Sequence, residues 1–342
     1  MSAAASAFRP ATASDLDRVA ALIVPDAASP LTAGDFRARL DSGEYRADRV
    51  WVAEASDGHT SGGTAGTAIA AAAVWWGRTG EHAPGALDAL VADPGLPREQ
   101  RAAVGSQLLA VAHETFTRSL HRMPASFHFL LPCDWRSRHD VVSALSWRWE
   151  AALRAGLTDE LERLRFEWRA ETGLPETRLP ETGRGRRPRL TFRREPDDDA
   201  FATLFRRALK GTLDATTRKT ADVVGDGIQA HADVAFYRDR MEGDRRWWIV
   251  AELQDGEPVG FGVPNRNSES AVVGYIGVLP EYRGQGYVDE ILAETTRILA
   301  TEGQADRVQA DTDLANQPMA AAFERAGYVN FARRVVLSPP LR

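Results

Sequence analysis

The chain has 342 residues, of which 44% are hydrophobic and 26% charged, a balance typical of globular proteins. The formal net charge of −6 argues against a dedicated nucleic-acid-binding protein, whose binding surface is usually basic. The single cysteine, Cys133, excludes an intrachain disulfide and a cysteine-rich zinc site, and it fits a reducing compartment.

No segment reads as a membrane span or an export signal. No apolar run approaches the ~18 residues that a membrane-spanning helix needs. Residues 1–8 lack the basic and apolar regions of a signal peptide. We therefore expect a cytoplasmic protein that binds neither membrane nor nucleic acid. The histidines show no metal-ligand spacing, so we expect no metal site.

The first half alternates strand and helix signals. A short strand at 8–12 precedes helical spacing of apolar residues from Leu16 to Ile23. Further signals predict strands at 50–54 and 68–76 around a Gly/Ser-rich turn at 56–66, then a strand ending near Val91, a helix at 98–118, a strand at 126–131, a helix at 140–155 and a strand at 161–168.

A boundary follows at about residue 171. Residues 171–189 are rich in proline, glycine and charge, and Leu-Pro-Glu-Thr occurs in them at 174–177 and at 179–182. The segment lacks apolar periodicity, which is typical of a linker. The sequence thus predicts a first domain at 1–170, a linker at 171–189 and a second domain at 190–342.

The second half repeats the same order. Asp255-Gly256 predicts a hairpin, and acidic residues at 197–199 favour a helix start. The predicted elements are strands at 247–253, 259–263, 271–279, 307–312 and 328–337, with helices at 287–302 and 318–326. The sequence therefore predicts an α/β fold, of α+β character with mixed sheets, repeated twice in tandem with a period of roughly 165 residues.

The segment from Gly274 to Glu290 carries the strongest chemical signal. A strand leads through a turn into Arg283-Gly-Gln-Gly286 and then into a helix. Glycines allow close backbone approach, and a helix N-terminus offers unpaired N–H groups with partial positive charge. The alternative is an ordinary strand-to-helix turn. The segment fits neither a Walker loop nor a dinucleotide fingerprint.

This segment resembles motif A of the GNAT superfamily of N-acetyltransferases. About thirty residues later, Asn316 and the helix through Phe323 to Gly327-Tyr328 resemble the second cofactor segment of that family. The resemblance covers about 190–340 well. It covers 7–170 only through the order of elements, so we expect the first domain to be degenerate.

The resemblance implies an acetyl-CoA cleft where two parallel strands diverge. The backbone of Ile276, Gly277 and Val278 would pair with the pantetheine arm. The pyrophosphate would bind Arg283 and the N–H groups of Gly284, Gln285, Gly286, Tyr287 and Val288. Asn316 and Phe323 would lie near the thioester end.

Two positions depart from the family pattern. Val288 stands where the family has glycine or alanine. Phe323 matches a tyrosine thought to protonate the departing thiolate, and a phenylalanine cannot donate a proton. Another group must then act, or the thiolate leaves without help. In the first half, Gly105 alone remains in the matching loop at 98–107, which predicts weak or lost cofactor binding there.

Four residues are candidates for proton transfer. Asp313 ends a strand that should line the cleft, Glu252 lies on the hairpin, His231 lies in a predicted helix, and Tyr275 precedes the motif as a candidate proton donor. A solvated or salt-bridged surface position is the alternative for the first three.

The sequence favours an acetyl-CoA-dependent N-acetyltransferase acting on a small-molecule amine. Three alternatives remain open: acetylation of a protein or peptide amine, a non-catalytic acyl-CoA-binding module, and a structural protein with a vestigial cleft. The acceptor pocket is expected at about 205–245, a region with no readable chemical signature.

Overall fold

The computed structural model describes residues 5–55, 68–81, 83–121, 124–175 and 189–341. The predicted turn at 56–66 lies outside these ranges. So does most of the predicted linker with its second Leu-Pro-Glu-Thr.

Helices and strands alternate along both halves, close to the predicted positions. The helices are α1 (Leu16–Leu22), α2 (Ala33–Asp41), α3 (Arg98–Leu120), α4 (His139–Arg154), α5 (Asp198–Leu209), α6 (Ala215–Val224), α7 (Asp226–Asp239), α8 (Tyr287–Thr301) and α9 (Gln317–Arg325). The strands are β1 (Ala5–Pro10), β2 (Val50–Ala55), β3 (Ile69–Trp76), β4 (Ala86–Ala92), β5 (Phe127–Leu131), β6 (Asp159–Arg169), β7 (Thr191–Arg194), β8 (Ile249–Glu252), β9 (Pro258–Arg266), β10 (Ala271–Val278), β11 (Arg307–Asp313) and β12 (Val329–Ser338).

The chain divides into two compact units. The first comprises residues 1–162 and 333–340, and the second comprises residues 163–332 and 341–342. The first unit thus takes its last strand from the C-terminal end of the chain, and the second takes residues 163–169 from β6. The sequence division at 1–170 and 190–342 does not anticipate this exchange of strands.

Each unit is a mixed sheet with helices on both faces, as predicted. In the first unit the strand order is β1-β2-β3-β4-β5-β12, and in the second it is β6-β11-β10-β9-β8-β7. Strand alternation sends Trp51 and Ala53 into a core with α3 and α4. It sends Val50 and Val52 into a second core with α1 and α2.

The second unit is built in the same way. Val250 and Phe261 pack against α5 and α7 on one face. On the other face Ala251 and Val259 pack against Ile291 of α8. Helix α5 begins as its acidic start predicts, because the Asp197 carboxylate accepts a hydrogen bond from the N–H of Asp199 at 3.0 Å.

No helix in the described ranges combines the length and apolar character needed to cross a bilayer. No group of three or more His, Cys, Asp or Glu side chains in those ranges is arranged to hold a metal ion.

Candidate acetyl-CoA cleft

Strands β10 and β11 of the second unit run parallel and then separate. Only Ala271 with Val308 and Val272 with Gln309 are paired. On its other edge β10 stays paired with β9 as far as Val278, through a bulge between Val273 and Tyr275. The edge of β10 after residue 272 therefore faces an opening instead of a neighbouring strand.

This opening continues into a cavity of about 310 Å³. The α5–α6 connection at 211–213, Pro318 and Met319 form part of its wall. The cavity also brings together ten of the residues that the sequence singled out: Tyr275, Ile276, Gly277, Val278, Arg283, Gly284, Gly286, Tyr287, Val288 and Asn316.

The backbone groups of β10 divide between β9 and the cavity. The N–H of Leu279 donates to Val259 O at 2.9 Å, so alternation turns the polar groups of Gly277 toward β9 as well. Those of Ile276 and Val278 then point to the cavity. Gly277 therefore lines the cleft without offering hydrogen bonds to it, and Ile276 and Val278 supply the donors.

The loop after β10 is shaped for an anion. Gly284 and Gly286 have φ of 76° and 78°, in the left-handed region that favours glycine. Within the described chain, the N–H groups of Gly284, Gln285 and Gly286 have no acceptor. Helix α8 begins at Tyr287 directly afterwards and adds its partial positive charge. Such an arrangement binds phosphate groups.

Arg283 is engaged by the protein itself. Its guanidinium donates from Nε to Val278 O at 3.0 Å, from Nη1 to Lys210 O at 2.7 Å and from Nη2 to Ala208 O at 2.6 Å. These bonds tie the end of α5 to the motif loop. Three of the five guanidinium N–H donors are thus used by carbonyls, and the direct contact of Arg283 with pyrophosphate stays a prediction for the other two. Val278 O is likewise taken.

Arg189 supplies a cation at the loop that the sequence analysis missed. Its guanidinium lies 4.4 Å from the ring centre of Tyr287 and donates to Gln285 O at 2.8 Å. Glu290, buried in the first turn of α8, accepts from Arg189 Nε at 2.6 Å. The residue falls in the predicted linker, where arginine is a common solvated residue. Its distance from the motif in sequence hid its role.

Tyr275 is one of the residues that line the cavity. Its ring packs against Phe205 and Phe261, at centroid distances of 4.8 and 5.7 Å. Burial, with the negative charges of Asp214 and Asp233, raises the pKa of Tyr275 above the usual range of a phenol. The hydroxyl therefore stays protonated at neutral pH.

Asp313 ends β11 beside the cleft, and its carboxylate contacts other parts of the protein. Its Oδ2 accepts from Ala215 N at 2.7 Å, and its Oδ1 forms an ion pair with Arg163 Nε at 2.9 Å. Burial raises the pKa of Asp313, while the Ala215 N–H and Arg163 oppose that rise. Asp313 is not among the residues lining the cavity.

Two other candidates lie away from the cavity. Glu252 accepts from Arg193 Nε at 2.5 Å on the β7–β8 edge. His231 is exposed on α7, with Nδ1 2.8 Å from Gly227 O and Nε2 3.6 Å from Asp199. Both expected roles as cleft bases are corrected, because neither side chain reaches the wall of the cavity.

Two expected cofactor residues also lie elsewhere. Phe323 is 2% exposed and packs on Phe166 and Tyr328 in the core under α9. Its expected contact with the cofactor is therefore corrected. The side chain of Gln285 is exposed and donates to Glu281 O at 3.3 Å, so only its backbone faces the anion loop. Asn316 caps α9 by accepting from Met319 N at 3.4 Å, and it lines the cavity.

The corresponding opening in the first unit leads to a cavity of about 320 Å³, and Arg148 lies on its wall. Strands β4 and β5 pair only at Leu87 and Phe127. Beyond this pair, Arg148 is 4% exposed and donates from Nε to Leu90 O at 2.9 Å. In the following loop Arg101 covers the carbonyls of Leu96 and Pro94. These contacts occupy the strand edge at Leu90. The loop that follows β4 lacks the glycine arrangement that forms the anion loop of the second unit.

Comparison with known protein families finds a match in the second unit. The model of the acetyltransferase (GNAT) family matches residues 218–328. A search of curated proteins found no significant match.

Solved structures extend the likeness to the rest of the chain. A GCN5-related N-acetyltransferase from Sphaerobacter thermophilus is 16% identical, with a TM-score of 0.52, over 98% of this chain and 96% of that one. The glucosamine N-acetyltransferase region of a fungal multi-domain β-N-acetylglucosaminidase is 12% identical, with a TM-score of 0.52, over 96% of this chain and 38% of that one. A tandem GNAT protein from the clavulanic acid biosynthesis pathway is 16% identical, with a TM-score of 0.47, over 98% and 99%.

The first two likenesses establish the fold, which includes both units. The match to the family model lies in the second unit, which also contains the free edge of β10 and the glycine loop at 284–286. Residues 218–328 therefore match the acetyltransferase (GNAT) family, and the fold along nearly the whole chain is similar to that of a GCN5-related N-acetyltransferase.

Proposed function

We propose that the second unit transfers the acetyl group of acetyl-CoA to a small-molecule primary amine. One observation carries the proposal: the free edge of β10 and the unpaired N–H groups of the glycine loop open into a single cavity. The extended pantetheine arm of the thioester fits the free edge of β10, and the pyrophosphate fits the N–H groups of the glycine loop. The lone Cys133 favours a cytoplasmic setting.

Different residues along the cavity would bind different parts of acetyl-CoA. Backbone N–H groups at 284–286 and the start of α8 would bind the pyrophosphate, while Arg189, paired with Glu290, holds the loop through Gln285 O. The N–H and C=O of Ile276 and the N–H of Val278 would pair with the pantetheine amides. Asn316 also lines the cavity.

The transfer step needs a neutral amine beside the thioester carbonyl. The amine nitrogen attacks that carbon, the C–N bond forms, and the C–S bond breaks. The departing thiolate takes a proton from the Tyr275 hydroxyl, and the phenolate is restored by the proton released from nitrogen. Tyr275 is the candidate for this role because it lines the cavity and carries an O–H donor.

A matched pair of loop variants tests the cofactor assignment. Gly284 has φ of 76°, and a Cβ added there would meet no atom within 4 Å. Asparagine and aspartate both tolerate this region. Gly284→Asn and Gly284→Asp therefore differ only in charge.

Calorimetric titration of acetyl-CoA provides the readout. We expect Gly284→Asp to bind at least about tenfold more weakly than Gly284→Asn, because its carboxylate repels the pyrophosphate. Equal affinities in the two variants would contradict the site. A wild-type chain that binds acetyl-CoA but releases no free thiol with any amine would instead be a non-catalytic acyl-CoA-binding module. Release with peptide amines only would indicate a protein acetyltransferase.

A further inference from the structure

The cavity of the first unit, of about 320 Å³, shares no lining residue with the acetyl-CoA cleft. Its volume lies in the range that is typical of small-molecule binding sites. Charged side chains of both signs line it: Asp35, Arg39, Asp88 and Arg148. Proton transfer and thioester chemistry in the second unit use none of these groups, so the cavity needs an explanation of its own.

Arg148 presents part of a buried guanidinium to this cavity. The side chain is 4% exposed. Its Nε donates to Leu90 O, and its Nη1 donates to Ala144 O at 2.8 Å and pairs with Asp26 Oδ2 at 2.8 Å. Its Nη2 donates to no described residue, yet it keeps solvent-accessible surface. Because Arg148 is otherwise buried and lines the cavity, this nitrogen faces the cavity with unused donors.

Arg39 and Asp88 form a second, fixed pair of charges on the same wall. Asp88 Oδ2 accepts from Arg39 Nη1 at 2.7 Å and from the hydroxyl of the buried Tyr45. The other carboxylate oxygen of Asp88, and the Nε and Nη2 of Arg39, have no partner among the described residues. One acceptor and two donors therefore remain side by side, held by a buried tyrosine.

The charges on this wall already compensate one another. Arg39 pairs with Asp88, Arg148 pairs with Asp26, and Asp35 is exposed to water. A ligand with one net charge would displace water from these groups and leave its own charge without a counterion. A ligand that carries both charges matches the free donors and the free acceptor together. The remaining wall is largely apolar and includes Leu31 and Phe129.

We propose that the first unit binds a free α-amino acid with an apolar side chain, as its zwitterion. Its carboxylate accepts from Arg148 Nη2 and Arg39, its ammonium group donates to Asp88, and its side chain lies on the apolar wall. The contact of 2.7 Å between Arg39 and Asp88 places opposite charges next to each other, as they are in an α-amino acid. This inference does not rest on acetyl transfer in the second unit.

The test titrates L-leucine and L-phenylalanine into the full chain, by calorimetry and by thermal unfolding. Each amino acid is compared with its amine and its acid: isopentylammonium and 4-methylpentanoate for leucine, and 2-phenylethylammonium and 3-phenylpropanoate for phenylalanine. The leucine isomer 6-aminohexanoate has the same two charged groups, but they lie at opposite ends of the molecule. These comparisons use the wild type alone, so they remain decisive if a variant fails to fold.

Two pairs of variants locate the binding site. Arg39→Gln and Asp88→Asn remove one charge each from the cavity wall. Arg37→Gln and Asp41→Asn are the matched controls, because both positions are exposed on α2 and neither lines the cavity. Urea unfolding of every variant shows whether the first unit remains folded.

We expect at least one of the two amino acids to bind the wild type at one site per chain. Its amine and acid analogues, and 6-aminohexanoate in the case of leucine, should bind at least about tenfold more weakly, because each loses one of the two charge-assisted contacts. Arg39→Gln and Asp88→Asn should weaken binding by at least about tenfold, and the two controls should bind like the wild type.

Three results would each overturn the proposal. The first is no saturable binding of either amino acid to the wild type. The second is an analogue with a single charge that binds as tightly as its parent, because the paired charges would then play no part. The third is unchanged binding in folded Arg39→Gln and Asp88→Asn, which would place the amino acid elsewhere, for example in the cleft of the second unit.

Discussion

The Nη2 atom of Arg283 lies 2.6 Å from the carbonyl oxygen of Ala208, at the last turn of α5. The motif arginine therefore fixes the end of α5 at the cavity wall, in addition to its own loop. This relationship connects the cofactor motif with the segment at 211–213 that lines the cavity.

Replacing Arg283 by alanine should loosen that connection. We expect acetyl-CoA affinity to fall by about tenfold and the unfolding free energy by about 1 kcal/mol, because three charge-assisted hydrogen bonds at an exposed site are lost. Calorimetry and urea unfolding measure the two effects. Arg206→Ala, an exposed arginine on α5, is the control. An affinity change without any stability change would instead favour direct contact with the phosphates.

Tyr275→Phe should separate binding from turnover. We expect acetyl-CoA affinity to be unchanged and thiol release to fall about 100-fold, since only the proton donor is removed. Phe323→Tyr in the same background should not restore activity, because residue 323 is buried against Phe166. Steady-state kinetics over pH 6–9 provide the readout. Recovery by Phe323→Tyr would show that this position reaches the thiolate after all.

One acetyl-CoA should bind per chain. The first unit offers no free strand edge at Leu90, where Arg148 Nε is hydrogen-bonded, and its loop carbonyls are covered by Arg101. Calorimetry on the wild type gives the stoichiometry directly. A value near two would mean that Arg148 moves aside, and Arg148→Met should then change the second binding event alone.

The stability of the first unit should depend on pH through His113. Its side chain is 4% exposed against Trp75, and burial lowers its pKa to about 4. Because the folded-state pKa is below the unfolded value of about 6.5, the unfolded chain binds more protons between these values. The contribution is complete above pH 6.5 and is lost as the pH falls toward 4, with a total of about 3 kcal/mol.

Urea unfolding at pH 7 and pH 5 measures that loss. His113→Leu should be less sensitive than the wild type to this change of pH, because leucine has no proton to gain. The difference between the two proteins isolates His113 from the carboxylates that titrate in the same range. Equal sensitivity would show that His113 can be protonated in place.

The sequence predicted the parts of the site that depend on local geometry. The strand, the two left-handed glycines and the helix after them are close together in the chain, so Gly284, Gly286 and Tyr287 could be assigned from their order. The repeated α/β plan followed from apolar periodicity in the same way.

What the sequence could not show depends on distant contacts. Asp233 looks like an ordinary polar position on a helix, and only its burial distinguishes it. Glu252 and Asp313 were attractive candidates by type. Their arginine partners come from β7 and β6, far away in sequence. Similarly, the carbonyls that occupy Arg283 lie on α5.

The exchange of strands between the two units has a consequence for synthesis. The core of the first unit includes Val335 and Leu337, which lie far along the chain from its other strands. That unit therefore completes its sheet only after residues 333–337 have been synthesised, although its other strands emerge early. Expression of residues 1–170 alone would leave β5 without its C-terminal neighbour and would remove 163–169 from the second half. A cut of the gene at the predicted linker would therefore separate each unit from a strand of its own sheet.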